Sequence, residues 1–175
     1  MIAKELAWEA CAGWIRERQR ERRRVVFTNG CFDLLHAGHI HYLHEARCLG
    51  DYLVVGVNSD ASVRRLKGPQ RPVMSLDDRL LILGALEMVD VLVVFPVEPS
   101  RTDDLDPDLQ DTPYALLRQL HPDVLVKGAD YSQQAVVGRE FAGEVRIIPL
   151  LEGRSTSALL DRIHQGLPGK SPILE

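Results

Sequence analysis

The chain has 175 residues, 45% of them apolar and 26% charged, with a formal charge of −4. That length suits one domain that buries roughly 70% of its unfolded surface, so no disulfide or metal staple is required, and the negative charge excludes a general attraction to nucleic acid or anionic membrane. No uninterrupted apolar run of signal-peptide type opens the chain, nothing approaches the ~20 apolar residues of a membrane span, and Cys11, Cys31 and Cys48 form no paired pattern, so the expectation is a cytoplasmic protein without nucleic-acid or membrane partners.

Leu6, Ala7, Ala10, Cys11 and Trp14 recur at helical spacing and predict an amphipathic first helix. "IRERQRERRR" follows, its arginines interleaved with Glu17 and Glu21, and reads as a solvated helix end with local ion pairs rather than a nucleic-acid patch. Then strands and helices alternate. "VVFTN", "YLVVGVN", "VLVVF", "DVLVKG" and "EVRIIPL" are continuous apolar runs of the kind found in central parallel strands. Helical patterns over Gly38–Leu49, Ser59–Leu66, Leu76–Met88, Pro113–Leu120 and Ser155–Gln165 separate or follow them. The pattern predicts an α/β fold, a single doubly wound Rossmann-like parallel sheet with helices on both faces. Residues 1–24 form a leading helix, 25–165 the domain and 166–175 a tail. The irregular stretch "EPSRTDDLDPDLQDTP", with five aspartates and three prolines, reads as a mobile surface loop.

In doubly wound sheets, ligands sit beyond the carboxyl ends of the strands. Polar residues cluster there: Thr28-Asn29-Gly30, Asn58-Ser59-Asp60 and Lys127-Gly128, with Ser155-Thr156-Ser157 opening the last helix. The densest stretch is "TNGCFDLLHAGHIHYL". At ~100° per helical residue, His41 and His44 lie about 200° and 140° from His39, so the histidines do not converge on one ion and no metal site is assigned. A phosphate cradle fits the order of residue types better. Gly30 lets the backbone turn after a strand, His36 precedes the helix, Gly38 leaves room, and His39 lies in a first turn where free N–H groups and the helix dipole favour anions. Asp33 holds the loop or fixes an imidazole tautomer.

"NGCFDLLHAGH" resembles the N-G-x-F-D-x-x-H-x-G-H signature of the nucleotidyltransferase family that contains the cytidylyltransferases. The similarity continues through "LGDYLVVGVNSD", "RRLKGPQRPV", "DDRLLILGALEMVD", "DVLVKGADY" and "EGRSTSALLDRI", covering nearly all of Val25 to Ile163. Within the family it is most similar to the branch that adenylylates D-glycero-β-D-manno-heptose 1-phosphate for lipopolysaccharide cores, whose K-G-G-D-Y corresponds to Lys127-Gly128-Ala129-Asp130-Tyr131. Ala129 departs from the usual glycine, Ser157 from a threonine, and the acidic stretch from Pro99 to Asp111 has no counterpart. The kinase domain often fused ahead of this activity is also absent from these residues, so a separate heptose kinase is expected to supply substrate.

The resemblance implies transfer of AMP from ATP, as its Mg²⁺ complex, to a sugar 1-phosphate, with release of pyrophosphate and Mg²⁺ as the only cofactor. His36, His39 and Lys67 would be catalytic. Asn29, Gly30, Phe32, Gly38, Lys127, Gly128, Asp130, Ser155, Thr156 and Ser157 would join the histidines in binding the nucleotide. Asp33, Asn58, Asp60, Lys67, Arg79 and Tyr131 would bind the sugar phosphate. Arg79 either holds phosphate or pairs with Asp77 or Asp78, and Asn58 and Asp60 either orient hydroxyls or belong to a helix start capped by Ser59 or Asp60. Lys127 ends a buried strand and calls for an anionic partner. A homodimer is implied as well. Two alternatives remain: a CTP:glycerol-3-phosphate cytidylyltransferase, disfavoured by Leu150 where those enzymes carry arginine and by the presence of Lys127, and a nucleotide-binding sensor without turnover.

Overall fold

The structure, a computed structural model, describes residues 4–96, 109–129, 135–149, 151 and 153–165. Its strands are β1 (Val25–Gly30), β2 (Tyr52–Asn58), β3 (Val91–Phe95), β4 (Val124–Gly128) and β5 (Glu144–Ile148). The helices are α1 (Trp8–Arg20), α2 (Ala37–Arg47), α3 (Asp60–Lys67), α4 (Leu76–Gly84), α5 (Tyr114–Leu120) and α6 (Thr156–Gln165). The strands form one parallel sheet in the order β3-β2-β1-β4-β5.

Side chains alternate between the two faces of a strand, so a run buried on both faces must be apolar at every position. Val25, Phe27, Val54, Val91, Val93 and Leu125 pack with α1 and α5 on one face. Val26, Leu53, Val55, Val57, Leu92 and Val126 pack with α2 and α4 on the other. The continuous apolar runs are therefore the expected signature of a doubly wound sheet. α1 belongs to this core through Trp8, Cys11, Ala12 and Ile15, so the leading segment is not set apart from the domain. Its basic end is a solvated helix end: Arg18 pairs with Glu21 and Glu17 at 2.8 and 3.2 Å and lies over the Trp14 ring.

Three local expectations need correction. β5 is an edge strand, with only Ile148 buried, because parallel pairing on one side leaves its other side open. β3 is the opposite edge, yet it is covered: Leu6 N–H donates to Leu92 O and Leu92 N–H to Lys4 O, at 2.9 and 2.8 Å. α4 stops at Gly84 rather than Met88, and the chain turns through Leu86 and Val89 to reach β3, where the Asp90 carboxylate accepts from Leu53 N–H at 2.8 Å.

The order of the strands reverses between β1 and β4, which remain parallel. β1 pairs with β2 along its whole length, from Val25↔Tyr52 to Gly30↔Val57. Its register with β4 covers only Val26↔Val124 and Phe27↔Leu125. Past that point Thr28 turns its hydroxyl to Val126 O, at 3.2 Å, and to the Tyr42 hydroxyl, at 2.7 Å. The carboxyl ends of β1 and β4 thus part, opening the crevice where ligands bind in such folds.

Candidate active site

A cleft of about 570 Å³ opens at that point, within the range of small-molecule sites. Asn29, Gly30, Phe32, His36, Gly38 and His39 border it from the β1–α2 side, and Ser155, Thr156 and Ser157 from the start of α6. Lys127 and Gly128 border it from β4, and Asn58 and Lys67 from the β2–α3 side. Residues from Asn29 to Ser157 thus meet where the topology placed the ligand crevice. Asp130, Tyr131 and Leu150 lie outside the described residues, as do 98–108 of the acidic stretch and the tail from 166.

His36 is the N-cap of α2: its carbonyl accepts from His39 N–H at 2.9 Å and its Nδ1 stands 3.4 Å from the same nitrogen. That cap stacks the two imidazoles, with centroids 3.8 Å apart and planes 23° from parallel. The ring of Phe32, a residue with φ +48°, lies 5.4 Å from that of His39. Gly38 sits at a close approach, since a Cβ there would lie 3.0 Å from both Arg154 O and the His36 ring. It lets the chain entering α6 close against the start of α2, so two helix N-termini converge on the cleft. Ser155 caps α6, its Oγ accepting from Ala158 N–H at 3.1 Å.

Both imidazoles are held neutral at physiological pH. Burial and, second, the Arg154 charge push His36 below its ordinary value. Burial and then the His36 ring bring His39 down to about 4, with the Leu34 backbone pulling the other way. His39 Nδ1 is buried without a hydrogen-bond partner among the described residues. Neutral rings at a helix start are hydrogen-bonding groups whose proton affinity rises when a polyanion arrives.

Charge at the cleft is locally positive on a protein of net charge −4. Lys67, Arg71, Lys127 and Arg154 border it, against Asp33 and Asp111. Asp33 is neutralised by Arg71 and Asp111 by Arg65, whose Nη2 and Nε donate at 2.8 and 3.0 Å. Such a donor set fits anionic phosphates. No group of three or more His, Cys, Asp or Glu among the described residues is placed to hold a metal ion.

Several expected roles change. Asp33 is 1% exposed and faces Arg71, Val73 N–H and Met74 N–H, not an imidazole. Arg79 pairs with neither Asp77 nor Asp78 and does not reach the cleft. It is 1% exposed and donates to Cys31 O, to Asn58 O at 2.9 Å and to Asp60 Oδ1 at 2.8 Å, tying the ends of β1 and β2 to the start of α3. Asp60 is thereby engaged away from the cleft, and Ser59 caps α3. The Asn58 amide donates to Ser62 Oγ and Asp111 O, at 2.9 and 3.2 Å. Lys127 donates to the carboxamide oxygen of Asn29, bridging the parted strand ends. The end of the acidic stretch is a wall of the cleft, not a loose loop: Asp111 is held by Arg65 and Asn58.

Arg71, Arg154 and Asp111 were missed as site residues. "RRLKGPQRPV" and "EGRSTSALLDRI" contain the first two, but an arginine among several carries no mark of the side it faces.

Residues 27–162 match the family model described as cytidylyltransferase-like. The chain is 54% identical over 141 residues to the bifunctional protein HldE of Wolinella succinogenes, and 52% identical over 145 residues to that of Campylobacter concisus. These alignments cover 81% and 83% of this chain but only 27% and 28% of those relatives. Among solved structures, the lipopolysaccharide core biosynthesis protein of Thermoplasma volcanium is similar at TM-score 0.51 and 27% identity, covering 74% of this chain and 97% of that one. The pantoate-beta-alanine ligase of Francisella tularensis, at TM-score 0.54 and 17% identity over 87% of this chain and 69% of that one, shares the fold.

Proposed function

The chain belongs to the cytidylyltransferase-like family and is a nucleotidyltransferase, and from that premise we propose that it transfers AMP from Mg²⁺–ATP to D-glycero-β-D-manno-heptose 1-phosphate, releasing pyrophosphate. The observation that carries the reading is the pair of stacked imidazoles at the α2 N-terminus, facing the α6 N-terminus across a cleft at the sheet's reversal point. The relatives named HldE and the lipopolysaccharide core protein support the sugar phosphate as acceptor.

The chemistry asks little of the protein beyond charge and geometry. The attacking oxygen belongs to a phosphate already ionised at neutral pH, so no general base is needed. Pyrophosphate carrying Mg²⁺ is a good leaving group, so no general acid is needed either. Two anions must be brought together and the α-phosphorus held for in-line attack. His36 and His39 would donate to the triphosphate as charge grows on the five-coordinate phosphorus. The α2 and α6 N-termini, with Ser155, Thr156, Ser157 and Arg154, would hold the outgoing phosphates. Lys67 and Lys127 would offset the charge of the two substrates, Lys127 from the Asn29 bridge beside the nucleotide.

Pyrophosphate release from purified protein, Mg²⁺, ATP and the heptose phosphate tests the reading, with CTP and glycerol 3-phosphate in parallel. Release confined to ATP and the heptose phosphate is expected. Activity only with CTP and glycerol 3-phosphate keeps the cleft's chemistry and replaces the substrates. Nucleotide binding without release on any acceptor makes the protein a sensor.

A further inference from the structure

We propose that Arg71 binds the phosphate of the acceptor substrate and that Asp33, the aspartate between Phe32 and the histidines, is the positioning residue that holds it there. The assignment rests on the transfer reaction proposed above and names the groups that meet its second anion.

The loop between α3 and α4 has no regular structure of its own. It leaves α3 after Lys67 through Gly68 at φ +97°, makes one turn with Arg71 N–H on Gly68 O at 3.1 Å, and enters α4 at the Ser75 cap. Its course across the cleft is set from outside. Asp33, fixed at the end of β1 and 1% exposed, takes Val73 N–H at 2.8 Å and Met74 N–H at 3.0 Å on Oδ1, and the Arg71 Nε–H on Oδ2. One buried carboxylate thus gathers a side chain and two backbone groups from 38 to 41 positions away. A buried carboxylate left without those partners is strongly disfavoured, so the tie is obligatory.

Arg71 is more than a counter-ion. It borders the cleft with its side chain 17% exposed, and its bond to Asp33 uses Nε. A guanidinium has five N–H donors, and the four on the terminal nitrogens, which meet no partner among the described residues, form a planar fork that matches a phosphate. Lys67 borders the same side of the cleft, and its charge is the largest of those felt by the Cys31 thiol at the end of β1. The cleft therefore has two walls that suit anions. His36, His39, Arg154 and the two helix starts form one, which suits a triphosphate. Lys67 and Arg71 form the other, which suits a single phosphate approaching the α-phosphorus from the opposite side.

The test compares parent, Arg71→Met, Arg71→Lys and Asp33→Asn by steady-state pyrophosphate release, with melting curves for each. Arg71→Met is expected to raise KM for the phosphate acceptor by ~10- to 100-fold, the usual worth of a charged hydrogen-bonded contact, and to leave KM for Mg²⁺–ATP within about threefold. Arg71→Lys keeps the ion pair with Asp33 but loses the fork, so it folds and still raises acceptor KM by roughly fivefold or more. Asp33→Asn keeps an acceptor for the two N–H groups and shifts acceptor KM in the same direction. Equal rises in both KM values, or a fall in kcat alone with acceptor KM unchanged, would overturn the assignment. The parent is first run with each acceptor, and the variants are read on whichever phosphate it uses. A wrong sugar therefore leaves the assignment standing, whereas a parent that releases pyrophosphate with no acceptor removes both.

Discussion

The neutral state of His39 should be visible as acid sensitivity of the whole fold. Burial and the stacked His36 ring hold it neutral down to about 4, whereas in the unfolded chain it protonates near 6.5. Below 6.5 the unfolded state therefore takes up its proton first, and stability falls as the pH drops. The contribution is complete above 6.5 and is lost by about 4, where both states are protonated. Each factor of ten in proton affinity is worth ~1.4 kcal/mol, so this one residue accounts for about 3 kcal/mol across that window. His39→Gln removes the titrating ring and keeps a polar side chain. Urea unfolding of parent and variant at pH 7, 6, 5 and 4 is the assay. The parent should lose about 3 kcal/mol more than the variant between pH 7 and 4. His36 titrates in both proteins, so its share cancels to first order. Parallel stability curves would refute the argument that burial keeps this imidazole neutral.

The same reasoning predicts that Mg²⁺–ATP binding at pH 6 takes up protons in the parent and fewer in His39→Gln, measured by calorimetry in buffers of different ionisation enthalpy. His39→Ala should lower turnover ~100-fold or more, the usual cost of a lost donor to developing charge, and a loss below about threefold would remove its electrostatic role. Gly38→Ala places a methyl 3.0 Å from Arg154 O and the His36 ring, so it should raise KM for ATP ~10-fold or more by parting α2 from the chain entering α6, read by kinetics alongside a melting curve. Arg79→Met leaves the Cys31 and Asn58 carbonyls without a buried donor, and should cost about 3 kcal/mol in urea unfolding.

Strand and helix identity, the alternation of the two and the placement of the histidine stretch at a strand end were legible because each depends on neighbours a few residues away. His36 and His39 are three apart, and a helix cap and a shared first turn bring them together whatever the rest of the chain does. Gly38 was legible for the same reason, although the group it makes room for, the Arg154 carbonyl, was not. β5 was misjudged as a central strand because Val145, Ile147 and Ile148 carry apolar character without saying how many neighbours the strand has.

Charged residues were the least legible. Arg71, Arg79 and Arg154 look alike in sequence. Yet Arg79 is sealed under the strand ends with Asp60, Arg71 stands in the cleft on Asp33, and Arg154 stands beside His36. Asp33 lies inside the histidine stretch, but its partners are 38 to 41 positions on.

By itself the sequence determined the fold class, the parallel sheet and the placement of the histidine stretch at a strand end, since hydrophobic period, glycine placement and helix capping act within one or two turns of chain. Only the tertiary structure decided which cations face the cleft, that Lys127 meets Asn29 across 98 positions, and that β1 and β4 part to open the site. An ion pair or a strand end finds its partner through the packing of the whole chain, and the energy of that choice is written in no local pattern.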